Sequence, residues 1–193
     1  MPPTVTRDML ESVFPPGALV TLDDPAMDLI THGPTREFLR NVGLPLQESG
    51  LFVMDPEFPA HMSTIHDWYL GDDAPPGAAD FLYVAQLHYD HVVLDGVSGR
   101  VWALPEAEPG LFPLHKDLGS LAYFLWAAER ERHAYDPQFP DAAERAAHWD
   151  PRGAADRLLA ELRPLEPMAF ENENSPWSQF LQDASKGFDG IAG

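Results

Sequence analysis

Cysteine is absent from the 193 residues, which removes disulfide frameworks, thiolate metal ligands and thiol chemistry together. Basic residues are scarce: 12 Lys and Arg stand against 31 Asp and Glu, for a formal charge of −19. A chain with that balance repels nucleic acid and anionic lipid and attracts basic surfaces. Two readings of the charge stand side by side, solubility alone or complementarity to a basic partner. Long apolar runs are missing as well, since no window approaches the ~18 uninterrupted apolar residues of a membrane span. Met1 to Leu10 carries early prolines, Arg7 and Asp8 and lacks the apolar stretch of a secretory signal. The expected compartment is therefore the cytoplasm. No glycine-rich phosphate loop, H-E-x-x-H helix or calcium loop occurs, and no cofactor is expected.

What is present suits an ordered domain. Hydrophobic residues make up 45% and aromatic residues 11% of the chain, a globular composition. No repeat or compositional break divides it, so residues 1–193 are read as a single domain; at this size roughly 70% of the unfolded surface is buried on folding.

Helix signals flank a strand-rich centre. Thr6 to Phe14 has Thr6 as N-cap and Met9, Leu10, Val13 and Phe14 along one side, ending at Pro15-Pro16-Gly17. Pro34 to Val42 follows, with Gly43 offering the left-handed position after the helix and Pro45 forbidding continuation. Leu51 to Met54, Phe81 to Leu87, His91 to Leu94 and Arg100 to Leu104 read as strands of a meander. The turn Asp95 to Gly99 holds two glycines where a reversal needs positive φ. Pro105 to Pro113 reads as a loop. From Asp117 the period becomes helical, with Leu118, Leu121, Leu125 and Ala128 on one face. Helices at Asp141 to Trp149, Pro151 to Leu162 and Pro176 to Lys186 complete the chain, the last capped by Ser175 and stopped at Gly187. The predicted class is α+β: a short-stranded, mainly antiparallel meander with helices packed on one face. Trp102 is expected to pack against the Leu118–Leu125 helix.

Candidate chemistry is sparse. His88 and His91 are three apart, and on one strand such residues point to opposite faces, so they read as surface histidines around a turn at Tyr89-Asp90 rather than metal ligands. His61 and His66 match no ligand spacing. Asp72-Asp73 and Asp23-Asp24 are sequence neighbours beside proline or glycine and read as solvated loop acids. Ser98 in Gly96-Val97-Ser98-Gly99 is one residue short of a G-x-S-x-G elbow, and no helix follows. The scattered histidines and acids are all that speaks for a metal-dependent hydrolase. What remains is a candidate binding patch, in which Asp72, Asp73, Asp80 and Asp90 flank the aromatics Trp68, Tyr69 and Tyr89. Aromatic anchors among rim charges suit a protein interface.

Three blocks carry a family resemblance. The first is Thr35-Arg36-Glu37-Phe38-Leu39 with Gly43-Leu44-Pro45. The second runs from Phe81-Leu82-Tyr83-Val84 through Leu94-Asp95-Gly96 to Ser98-Gly99-Arg100-Val101-Trp102. The third joins Leu118, Leu121, Phe124 and Leu125 to Glu166-Pro167-Met168-Ala169-Phe170 and Trp177. Together they span about residues 31–186 and resemble the SUKH superfamily, specifically its group-four immunity-protein branch. The motif positions Gly43, Pro45, Asp95, Gly99, Trp102 and Trp177 set backbone geometry and packing rather than chemistry. The resemblance implies a non-enzymatic cytoplasmic protein that neutralises a cognate toxin domain by occlusion, and the charge of −19 adds the expectation that the toxin has a basic surface and that neither nucleic acid nor membrane is the partner. A regulatory or scaffold module of the same fold, as in Knr-like and Syd-like members, is the alternative it implies. The stretch from His133 to Leu165 is longer than the resemblance leads one to expect.

Overall fold

A computed structural model describes residues 4–46, 51–58, 60, 62–68, 75, 77–105 and 110–188. At the N-terminal end α1 (Arg7–Glu11) is capped as the sequence predicts, the Thr6 hydroxyl accepting from the Met9 amide. A two-residue ribbon then pairs β1 (Leu19–Val20) with β2 (Leu44–Pro45) on either side of α2 (Gly33–Asn41). The ribbon had no signature in the sequence. Gly43 follows α2 at φ +84, and a Cβ there would lie 2.3 Å from the Val20 carbonyl oxygen. Only glycine permits both the left-handed turn and that backbone approach.

The central sheet has five antiparallel strands hydrogen-bonded in chain order: β3 (Phe52–Met54), β4 (Leu82–Leu87), β5 (Asp90–Leu94), β6 (Val101–Leu104) and β7 (Phe112–His115), with the short helix α3 (Ile65–Trp68) between β3 and β4. Three features differ from expectation. β7 forms within and just beyond the stretch read as a loop, because Phe112 and His115 pair with Ala103 and Val101 despite Pro113 between them, an edge position where a missing N–H is tolerated. The β4–β5 loop is His88-Tyr89, not Tyr89-Asp90, since Asp90 pairs with Leu87. Of the two turn glycines only Gly99 has positive φ, +74; Gly96 is required instead because a Cβ would meet the Leu29 carbonyl oxygen at 2.5 Å.

Helices cover one face of this sheet. α4 (Leu118–Tyr135) is apolar nearly all round in its first ten residues and buried accordingly. It is followed by α5 (Ala142–His148), which buries none of its residues, by α6 (Pro151–Leu162), by a 3-10 turn (Pro167–Phe170) and by α7 (Pro176–Ala184). Asp117, Asp141, Asp150 and Ser175 cap α4 to α7 with their side chains. The inner sheet face contributes Phe52, Leu82, Val92, Leu94, Val101 and Ala103 to the core shared with these helices. Trp102 is not among them. It lies on the opposite face with Val93 and Leu104, packed on Phe81 at 6.0 Å between ring centroids. The expectation that it meets the Leu118–Leu125 helix is corrected: Val101 and Ala103 take that side, and strand alternation sends Trp102 the other way. Trp177, on α7, is fully buried in the helical core.

Candidate partner-binding surface

The residues of the sequence-predicted patch fall at different places. Tyr69, Asp72 and Asp73 lie outside the described residues, and Trp68 closes α3. The Ile65 and His66 amides donate to the Phe81 and Ala79 carbonyls, so α3 sits beside the start of β4 and next to exposed Asp80. Tyr89 and Asp90 belong to the far end of the same strand. The six residues of β4 separate the two groups, about 17 Å at strand rise. One compact patch is therefore not what the fold assembles.

At the far end Tyr89 is 46% exposed, whereas Asp90 is 6% exposed and offers little surface to a partner. His88, read as a surface histidine, is instead turned inward: its side chain is 7% exposed and its Nε2–H donates to Asp183 on α7 at 3.1 Å. It holds φ +57, unusual for a side chain larger than glycine. Burial lowers the imidazole pKa, and Asp183 opposes that shift. His91 points elsewhere, its ring meeting Tyr83 edge-on at 5.5 Å. The two imidazoles thus serve different sides of the hairpin.

Near the opposite end of β4 the outer sheet face forms an aromatic row. Tyr83 pairs with Val93 and Val93 with Trp102, placing the three side by side across the strands. Ile65 and Leu104 are buried against the row, with Phe81 and Leu111 beside it. Burial, helped by the Asp55 carboxylate, pushes the Tyr83 phenol up. Asp67 in α3 accepts from the Thr64 hydroxyl at 2.7 Å. The Trp102 Nε1–H finds no acceptor among the described residues.

A second polar constellation escaped the sequence reading. Trp177 Nε1–H donates to His115 Nε2 at 2.8 Å, leaving the ring proton on Nδ1 to face Ser120 Oγ at 3.3 Å, and Ser120 donates to Glu166 Oε2 at 2.6 Å. These are the residue types of a nucleophilic triad, but the protons run the wrong way: the hydroxyl already gives its hydrogen to the carboxylate, and the imidazole donates rather than accepts. His115, Ser120 and Glu166 are 1%, 2% and 5% exposed, which leaves no approach for a substrate. Burial, with Lys116 adding to it, pushes the imidazole down to about 3. The relay is a structural clasp between β7, α4, the 3-10 turn and α7. Glu166 and Trp177 stand in the third motif block, but nothing in the sequence joins them to His115.

Among the described residues no group of three or more His, Asp or Glu is placed to hold a metal ion, and no helix is long and apolar enough to cross a membrane. The family model described as SUKH-4 immunity protein matches residues 5–183. No curated protein and no solved structure gives a match.

Proposed function

The chain belongs to the SUKH-4 immunity protein family, and from that premise we propose that it binds one cognate protein toxin domain in the cytoplasm and neutralises it by covering its working surface. The family match over residues 5–183 carries this reading. The charge supports it: 31 acidic residues against 12 basic ones suit a partner with a basic cleft, as enzymes acting on nucleic acid commonly have. Occlusion needs no catalytic group, and the residues of the shared motif serve backbone geometry and packing. Asp80 and Tyr89 are proposed as partner-facing, Tyr89 as an exposed aromatic anchor. Tyr69, Asp72 and Asp73 remain proposed contacts from the sequence.

The test is capture of partners from native cells on the immobilised chain, followed by expression of each captured domain alone and together with the chain. A domain that stops growth alone and is silenced at one-to-one stoichiometry supports the proposal. Captured partners that are harmless alone and keep their activity in the complex would instead favour a scaffold or regulatory module.

A further inference from the structure

We propose that the outer face of the five-stranded sheet, its aromatic row Tyr83–Val93–Trp102 bordered by Asp55, Asp67 and Asp80, is the docking site for a basic protein surface. The proposal rests on the immunity reading for the identity of the partner and on charge and packing for the location.

The charge is unevenly placed. Between Arg40 and Arg100 the sequence has nine Asp or Glu and neither Lys nor Arg. That segment supplies α3 and strands β3, β4 and β5. Among the described residues, every ion pair made by Lys or Arg lies on the helices or their flanking turns: Arg7 with Glu11, Arg36 and Arg40 with Asp24, Arg130 with Glu131 and Glu161, Arg132 with Asp136 and Glu129, Arg157 with Glu131 and Asp150, and Lys186 with Asp183. The helical side thus neutralises much of its own charge. The sheet side has two cations, Arg100 and Lys116, which flank the paired Val101/His115 end of β6 and β7; Arg100, two residues before Trp102, closes the acidic margin at that end.

The same face carries an apolar surface suited to anchoring. Tyr83, Trp102 and Phe81 are half-buried around a small buried cluster of Val93, Leu104 and Ile65 of α3, so that only the aromatic rims are open to a partner, and helices α4, α6 and α7 pack on the other side of the sheet. Val53, Gln86 and His91 form a second row across β3, β4 and β5, also half-buried. Rigid aromatics on paired strands with carboxylates at the margin match the division between anchor and rim in protein interfaces. Two apolar sites on the helical side lack one of these features. The groove over α6 lined by Leu159, Ala160, Pro164 and Pro167 includes Arg163 and belongs to the neutralised side. Trp149 stands alone beyond α5, which buries nothing.

An oligo-arginine peptide, with a glycine-serine peptide of equal length as control, serves as the probe in amide chemical-shift mapping of the full chain. The expected result is that the largest shifts fall on Val53, Tyr83, Gln86, His91 and the Trp102 indole, and that affinity drops about tenfold between about 20 and about 150 mM salt. Largest shifts over α4 and α6, or binding insensitive to salt, would overturn the location. The double variant Val53→Arg/Gln86→Arg places two cations side by side on this face and should weaken peptide binding about tenfold, while Asp156→Arg on the exposed side of α6 leaves it unchanged. If the arginine pair prevents folding, Asp55→Asn/Asp80→Asn replaces it and should weaken binding several-fold. The failures are separable. A captured toxin silenced equally well by wild type and the double variant sinks the surface and leaves the immunity reading standing. Peptide mapping to this face without any toxic partner keeps the surface and removes the immunity reading.

Discussion

Trp177 and His115, 62 residues apart in the chain, meet in the core at 2.8 Å, the indole N–H donating to an imidazole that burial keeps neutral. The contact fixes the histidine tautomer and turns the other ring nitrogen toward Ser120. It also makes the protein sensitive to acid.

The sign follows from the two states. The unfolded histidine titrates at 6.5, the folded one at about 3. Between those values the unfolded chain binds a proton that the fold refuses, so stability is full above pH 6.5 and is lost progressively as pH falls toward 3. At pH 5 the loss from His115 should be roughly 2 kcal/mol relative to pH 7.5. His88, whose pKa is also lowered by burial, adds in the same direction. His115→Gln can still accept from Trp177 and donate to Ser120; urea unfolding at the two pH values should show its pH-dependent loss smaller by about that amount. Equal losses in variant and wild type would show that His115 does not titrate in this range.

The two motif tryptophans should respond oppositely to loss of their N–H. Trp177→Phe strands His115 Nε2 without a donor in the core and should cost about 1–3 kcal/mol. Trp102→Phe removes an N–H that has no acceptor among the described residues, so its effect should be near zero or slightly stabilising. Complete truncation separates them further. Trp177→Ala should lose roughly 3–5 kcal/mol, and Trp102→Ala clearly less, because its ring is only half-buried. Thermal melts of the four variants check the order, and equal costs for the two alanine variants would contradict it.

Alanine at Gly43 and at Gly99 meets different neighbours. Both glycines have positive φ, but the new Cβ at Gly43 would strike the Val20 main chain, whereas at Gly99 it would strike the side chains of His32 and Thr35, the nearest atom 2.2 Å away. Side chains can rotate and a paired strand cannot. Gly99→Ala should cost about 1–3 kcal/mol, and Gly43→Ala more than that. Gly99→Val exceeds Gly99→Ala because a β-branched residue suits positive φ least. Chemical denaturation gives the ranking.

His88 and Asp183 should be energetically coupled. Their hydrogen bond fastens the β4–β5 loop to α7 and holds a non-glycine residue at φ +57. Asp183→Ala alone should cost about 1–2 kcal/mol, since it leaves a buried imidazole N–H unpaired. In a His88→Gly background, where the strain and the N–H are both gone, the same change should cost little, giving a coupling of about 1 kcal/mol in a double-mutant cycle. Simple additivity would show that the contact does not fasten the loop.

Much of the architecture was legible because its causes are local. Thr6, Asp150 and Ser175 cap helices where a short polar side chain precedes an apolar period. Gly43 and Gly99 have the positive φ expected of them. The meander followed from short aromatic and β-branched runs separated by turns. Of the candidate surface, Asp80 and Tyr89 are exposed, but their separation by a whole strand was hidden because both flank it in sequence.

By itself, then, the sequence determined which residues share a strand face and which end a helix, since periods of two and 3.6 and the demands of capping act over a few residues. Which face meets the helices was decided only in three dimensions. Along β6 the pairs Val101/Ala103 and Trp102/Leu104 are both apolar, so alternation separates them without saying which one turns inward. The unbroken pairing of β6 with β5, Val101 opposite Leu94 and Trp102 opposite Val93, ties that choice to the whole sheet and to the helices that cover it. The meeting of His115, Ser120, Glu166 and Trp177 is likewise tertiary: four elements distant in sequence converge on one dry site, where each donor must find its acceptor because water cannot supply one.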